Sequence, residues 1–365
     1  MPLDHAPLRP SRFSPAAGGH RSALAAAFLV VWAPALAAQQ AERFTLPGKD
    51  VAVYNLAGVM RVEGGSGRDV TVEVTRRGPD AGRLEVRTGP VQGVEALRVI
   101  YPADRIVYPD LGRGSRTQLT LREDGTFGGR HGRGDRRVTI TGGRDGLEAS
   151  ADLVVRVPRG QRVSVYLAVG EASIANVDGD VTVDVAAASV TARGTRGRLR
   201  LDTGSGEVAV SDAEGELDVD VGSGGVCLAN VRVSRLVVDA GSGTLEGDGI
   251  TATTMRLDLG SGGASLSRVR AGDIDLDSGS GEVELGLAGD VATLRIDSGS
   301  GSVTLTVPPT LGAMLDVDTG SGGIESDVPI TVTRRSQSRL EGKLGDGEGQ
   351  IRIESGSGAV RLKRG

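Results

Sequence analysis

Ile274-Asp275-Leu276-Asp277-Ser278-Gly279-Ser280-Gly281-Glu282-Val283-Glu284-Leu285 decides the fold of this 365-residue chain. Apolar and polar residues alternate on both sides of a Gly-Ser-Gly triplet, so a β-strand with one buried face is broken by a sharp corner and then resumes. The triplet recurs at Gly204, Gly222, Gly241, Gly260, Gly279, Gly299, Gly320 and Gly356, with spacings of 18, 19, 19, 19, 20, 21 and 36 residues. A period near 19 residues is the signature of a solenoid, in which no repeat buries a core alone and stacking makes one.

Period-two alternation assigns the faces. Leu199, Leu201 and Thr203 with Val208 and Val210 point inward, as do Leu217, Val219, Val221 with Val226 and Leu228, and Ile274, Leu276, Ser278 with Val283 and Leu285. Val165–Ile174 and Val183–Val190 carry the same spacing ahead of the first triplet, which extends the array to about ten coils. At about 4.8 Å per coil the stack is roughly 45 Å long. The predicted fold is all-β, a single-stranded right-handed β-solenoid or β-helix. Glycine is expected at the corners because it supplies positive φ without steric cost.

The predicted domains are a signal segment over 1–38, an N-terminal β cap over 39–160 and the repeat domain over 161–365. Arg9, Arg12 and Arg21 precede an apolar run from Ala23 to Ala35, and Ala35-Leu36-Ala37 supplies small residues suited to cleavage. The run is shorter than the roughly 20 residues a spanning helix needs. A cleaved secretory signal ending near Ala37 or Ala38 is expected, the alternative being an uncleaved anchor. The expected location is therefore the periplasm, the cell surface or the medium, with no integral span after cleavage. In the cap, Val51, Val53, Val59, Val62, Val70, Val72 and Val74 read as strand residues, with Asn55 and Gly58 as turn signals. The Arg- and Gly-rich stretch 101–143 reads as a long exposed hairpin or partly disordered insertion. After Gly320, a hairpin or loop excursion is expected, followed by a final coil over Ile351–Leu362 whose charged end blunts the open edge.

At formal net charge −5 the chain is not a nonspecific nucleic-acid binder. Its one cysteine, Cys227, can form no intrachain disulfide and reads as a small apolar core residue. Beyond the signal the only histidine is His131, a solvated loop residue by its surroundings, so a histidine-based metal or nucleophile site lacks partners. No aromatic residue follows Tyr166.

An acid stands two residues before each triplet: Asp202, Asp220, Asp239, Asp258, Asp277, Asp297, Asp318 and Glu354. These should form an outward ladder, each closing an Asx-type turn on the glycines. The competing reading is a calcium-stabilised, ligand-binding solenoid, against which one acidic oxygen per coil is sparse for an ion taking 6–8 ligands. Two positions earlier stand Arg200, Asp218, Val237, Arg256, Asp275, Arg295, Asp316 and Arg352, which offset part of the acidic stripe.

Three segments together carry a family resemblance: Val-Tyr-Asn-Leu-Ala-Gly-Val-Met-Arg-Val at 53–62, Val-Arg-Val-Pro-Arg-Gly at 155–160, and the repeated Asp-x-Gly-Ser-Gly-x-Val coils. Over about 48–365 the chain resembles the bacterial putative-adhesin family, a domain of unknown function with strand repeats. The resemblance implies an exported, non-enzymatic envelope protein and offers no catalytic residue, cofactor or metal ligand to transfer. An unidentified surface protein or polysaccharide is the expected partner. A polysaccharide-active β-helix is the enzymatic alternative, against which stand short, nearly equal coil loops and the lack of aromatic platforms.

Overall fold

Inward residues of successive coils face one another in unbroken register. Val183 pairs with Leu201, Leu201 with Val219, Val219 with Val238, Val238 with Leu257, Leu257 with Leu276, and Leu276 with Ile296, all in parallel strands. Each of these side chains is buried. A computed structural model describes residues 41–128 and 136–365. Met1–Ala38 and Gln39–Gly365 are separate units. The expected signal segment, and His131 in the insertion, lie outside the described residues.

Both ends of the array depart from sequence order. Asp50–Gly65 stacks in parallel on Arg162–Ala175 with Val53 against Val165, so a strand of the expected cap is a full layer of the solenoid. A further layer lies beyond it, built from Val94–Ile100 and Ser150–Pro158, which pair with the two halves of Asp50–Gly65. At the other end, Gly349–Ser355 and Val360–Arg364 do not close the stack as the sequence suggested. They lie between the coil Thr293–Val307 and the coil Ala313–Ser326, with Ile353 paired to both Ile296 and Val317. The column that begins Leu97, Val53, Val165 and ends Ile296, Ile353, Val317 therefore passes through twelve layers.

The chain leaves its layer at two prolines. Pro158-Arg159-Gly160-Gln161 carries it over the layer formed by Asp50–Gly65, and Pro308-Pro309-Thr310-Leu311-Gly312 over the layer formed by Gly349–Arg364. Each connection rises two strand spacings, about 9.6 Å, where an ordinary corner rises one. Proline cannot donate to the ladder, which suits it to the residue where pairing stops.

Antiparallel strands close both ends. Val70–Arg77 pairs with Ser150–Pro158, and Glu85–Val91 with Val94–Ile100. At the far end Arg339–Leu344 pairs with Ala313–Thr319 and Thr331–Arg335 with Arg339–Leu344, so the expected excursion is a hairpin lying on the end layer. A parallel edge leaves unpaired amides and carbonyls that invite other chains, and reversed strands cover them. Where it is described, the insertion contains the expected hairpin, Arg116–Leu121 against Arg136–Thr141, but the hairpin is docked and not fully exposed. Arg105–Val107, Arg116–Leu121, Arg136–Thr141 and Leu147–Glu148 form a second small sheet. Its Ile106, Leu121, Val138 and Ile140 are buried, so a few apolar residues spaced among the arginines suffice to dock it.

The corner glycines owe their identity to stacking more than to φ. Of the eight triplets only two contain a positive-φ glycine, Gly206 at +135° and Gly224 at +136°. Elsewhere the corners pile directly on one another. A Cβ on Gly243 would run into the carbonyl oxygen of Gly224, one on Gly262 into that of Gly243, and one on Gly281 into that of Gly262. The residue ahead of each triplet points inward, and in the later coils its hydroxyl bonds the carbonyl of the triplet's second glycine: Ser278 to Gly281 at 3.3 Å, Ser298 to Gly301 at 2.9 Å, Thr319 to Gly322 at 2.6 Å and Ser355 to Gly358 at 3.0 Å, whereas Thr203 Oγ1 is buried and makes no such bond. Asn55, expected in a turn, is instead buried in mid-strand.

Candidate functional site

Alternation places the acids on the outer face, and parallel register sets them directly above one another. Asp184, Asp202, Asp220, Asp239, Asp258, Asp277, Asp297, Glu354 and Asp318 form a continuous column of nine carboxylates. Asp184, one coil before the first triplet, has no Gly-Ser-Gly beside it in sequence; its signal was the matching alternation of Val181, Val183 and Val185. The column ends on cations. Tyr166 stands next to Asp184, then Tyr54, then Arg98, while Arg339 faces Asp318 at the other end.

The acids do not close Asx turns. Glycine amides at the corners donate to the preceding coil: Gly241 to the Val221 carbonyl at 3.0 Å, Gly260 to Ala240 at 3.0 Å and Gly279 to Leu259 at 2.9 Å. Since the axial backbone ladder takes those donors, Asp202, Asp220, Asp239, Asp258 and Asp277 make no hydrogen bond or ion pair among the described residues. Burial and the next carboxylate in the column push the carboxyls of Asp202, Asp220 and Asp239 above their usual range.

The adjacent column supplies partial compensation. Arg200 approaches Asp218 at 3.7 Å, Arg256 approaches Asp275 at 3.8 Å, and Arg295 approaches Asp297 at 3.7 Å. These pairs are exposed and contribute little stability each. At the far end Arg339 bonds Asp316, Asp318 and Glu341 at 3.3, 3.2 and 2.6 Å beside a hollow of about 380 Å³ lined also by Asp297, Arg352 and Glu354.

At the opposite end the aromatic residues gather. Tyr54 and Tyr166 stack with ring centroids 4.4 Å apart and planes 4° apart, and Phe127 meets them edge-on at 6.0 and 6.4 Å. A cavity of about 260 Å³ opens here beside Arg122, Gln92 and Ser164. Arg122 bonds Thr126 Oγ1 at 3.1 Å and the Gly128 carbonyl at 2.9 Å.

Cys227 is not a core residue. It sits outward between Ala209 and Glu246, half-buried, and burial together with Glu246 and Glu207 pushes its thiol up, which disfavours the thiolate. Among the described residues no group of three or more His, Cys, Asp or Glu side chains is placed to hold a metal ion. The column presents one carboxylate per layer, joined in some layers by a second from the adjacent column, Asp218, Asp275 or Asp316, whereas calcium takes 6–8 oxygens around one point.

A family model described as Toastrack DUF4097 matches residues 135–363, more than half of the chain. No curated protein matches. Among solved structures, a putative cell adhesion protein from Clostridium sporogenes aligns over 89% of this chain and 100% of its own, at 11% identity and a TM-score of 0.20.

Proposed function

This chain belongs to the Toastrack DUF4097 family, and from that premise we propose that it is an exported, non-catalytic scaffold of the bacterial envelope or surface that presents its outer face to a protein or polysaccharide ligand. One observation carries the reading. The nine carboxylates repeat in register from layer to layer, so they form a periodic acidic stripe along the outer face, even though the column beside it varies in charge. Such a surface suits adhesion by many weak, equivalent contacts, where linked binding events raise avidity without new chemistry. Catalysis asks for the opposite, a concave site with groups of distinct environment. Coils of 18–20 residues between Gly204 and Gly299 leave no long corner loop to wall a cleft.

Export rests on residues 23–37 of the sequence and is tested by fractionating cells that make the full chain. Mature protein lacking residues 1–38 outside the cytoplasm is the expected result; uncleaved chain in the cytoplasm overturns it. For the face, immobilised chain and a variant carrying Asp220→Asn, Asp239→Asn and Asp258→Asn are incubated with envelope fractions. A ligand retained by the first and lost from the second supports the reading. Release of reducing or unsaturated ends from polysaccharide would overturn the absence of catalysis. The melting temperature is expected to be the same in excess calcium and in chelator, and a rise with calcium would reinstate the ion-stabilised alternative.

A further inference from the structure

The layer formed by Gly349–Ser355 and Val360–Arg364 meets the rest of the array differently from the triplet coils of Gly204 to Gly279. Those coils are laid on the one just before in sequence and covered by the one just after. This layer finds both neighbours already laid down. Ile351 lies between Leu294 and Leu315, Val360 between Val303 and Ile324, and Leu362 between Leu305 and Ser326. Until it enters, Pro308–Gly312 holds Thr293–Val307 and Ala313–Ser326 two strand spacings apart, with facing, unpaired parallel edges.

What seats the layer is local to that gap. Gln350 donates its amide to Ala292 at 2.9 Å, Gly356 to Ser298 at 2.9 Å, and Val360 to Gly323 at 3.0 Å, while Gly320 donates to the Ser355 carbonyl at 2.8 Å. Arg361 reaches Glu325 at 3.2 Å. None of these contacts depends on the two sides belonging to one chain. Gly345-Asp346-Gly347-Glu348, a hinge whose glycines lie at φ +48° and +79°, joins the layer to the end hairpin.

We propose that the gap between Thr293–Val307 and Ala313–Ser326 accepts residues 349–364 from a second copy of this chain, giving a strand-exchanged dimer in which each copy completes the other. Exchange of an identical element reuses every native contact and changes only the hinge, which makes it a low-cost route to a dimer. The tether within one chain gives the intramolecular arrangement an effective concentration in the millimolar range. Exchange is therefore favoured when folding occurs in a crowded population of copies, as on a surface where the protein accumulates.

The test uses the full chain with Cys227→Ser. Thr293→Cys with Gln350→Cys places two exposed thiols in register across the gap boundary, and Thr254→Cys with Asp273→Cys does the same in consecutive coils. Each variant is refolded over a hundredfold range of protein concentration and then oxidised. The gap pair is expected to yield a disulfide-linked dimer fraction that rises with concentration, and the control pair to link only within one chain. Intrachain linkage alone at all concentrations, or equal dimer from both pairs, overturns the proposal. Unmodified chains give an independent arm: tagged and untagged copies should form mixed dimers when refolded together and none when mixed after folding. Absence of mixed dimers on joint refolding overturns the proposal as well.

Discussion

Tyr101 donates its phenolic hydrogen to Asn55 Oδ1 at 2.9 Å, joining residues 46 positions apart in a site from which water is excluded. Asn55 in turn donates to the carbonyls of Ala57 at 3.0 Å and Ala151 at 2.7 Å. One amide thus ties the long strand Asp50–Gly65 to the segment after the insertion, and one phenol ties it to the segment before. A buried network of this kind stabilises only when every member is satisfied.

Tyr101→Phe leaves the buried Asn55 oxygen without its donor and is expected to lower stability by about 1–3 kcal/mol in denaturant unfolding. An unchanged midpoint would show that the network does not hold the end layers. The tyrosines also set the alkaline limit. Burial, with the nearby Asp110, pushes Tyr108 up to about 12, and burial pushes Tyr101 higher still. Unfolded tyrosines ionise near 10, so between about 10 and 12 the unfolded state binds fewer protons and stability falls as pH rises. That decline should be shallower in Tyr101→Phe.

Two glycines one residue apart in repeat logic should respond oppositely to the same change. A Cβ on Gly243 meets the Gly224 carbonyl of the layer beneath, whereas one on Gly323 meets nothing within 4 Å, and neither residue has positive φ. Gly243→Ala is expected to cost about 1–3 kcal/mol or more through forced separation of the layers, and Gly323→Ala to lie within about 0.5 kcal/mol of the parent. Equal melting temperatures would mean that the corners are not in axial contact.

The sequence revealed columns more readily than it revealed their order. Apolar alternation around Leu276 fixed which side chains point inward, because period two leaves no other choice once one face is buried. It could not tell that Ile353 lies between Ile296 and Val317, since a coil's own pattern is the same whichever layer receives it. Two of the three Val-Pro steps, Val157-Pro158 and Val307-Pro308, mark where the chain skips a layer, but the third, Val328-Pro329, leads into the end hairpin, so the dipeptide alone does not single them out. The acids of the candidate site were legible as a ladder, and their lack of turn bonds was not. Whether Asp220 or a carbonyl of the preceding coil receives a glycine amide depends on stacking geometry, which composition does not encode. The hairpin of the insertion was legible and its docking was not, because arginine and glycine dominate it while Ile106 and Ile140 hold it in place.

Asp220 lies between Asp202 and Asp239 in the column, and its carboxyl is raised by burial and by Asp202. A carboxyl with a raised folded value holds its proton after the unfolded chain has released it. Its stabilising contribution is therefore complete below the unfolded value of 3.8 and is lost as pH rises through the folded one. At neutral pH the column repels itself, and Asp220→Asn should raise stability by on the order of 1 kcal/mol at low salt. The gain should shrink in about 1 M salt, where screening acts within roughly 3 Å. A loss of stability that ignores salt would show that the carboxylate makes a structural contact.

At the second corner of the coils, Asn176, Gly194, Asp212, Asn230, Gly249 and Arg268 adopt φ between 52° and 70°. Five of the six are residues that tolerate the left-handed region, by lacking a Cβ or by a short polar side chain. Arg268 is the exception, at φ 52°, and its guanidinium pairs with Asp248 on an exposed surface. The left-handed conformation costs an ordinary residue roughly 1–2 kcal/mol, while an exposed ion pair returns about 0–1 kcal/mol. Arg268→Asn keeps the backbone and adopts a side chain already used at this corner in Asn176 and Asn230, so it is expected to raise stability by about 0.5–1 kcal/mol. Arg268→Ala, which loses the ion pair and keeps the strain, should be less stable than the parent. If Arg268→Asn melts below Arg268→Ala, the guanidinium holds the corner and the backbone preference does not.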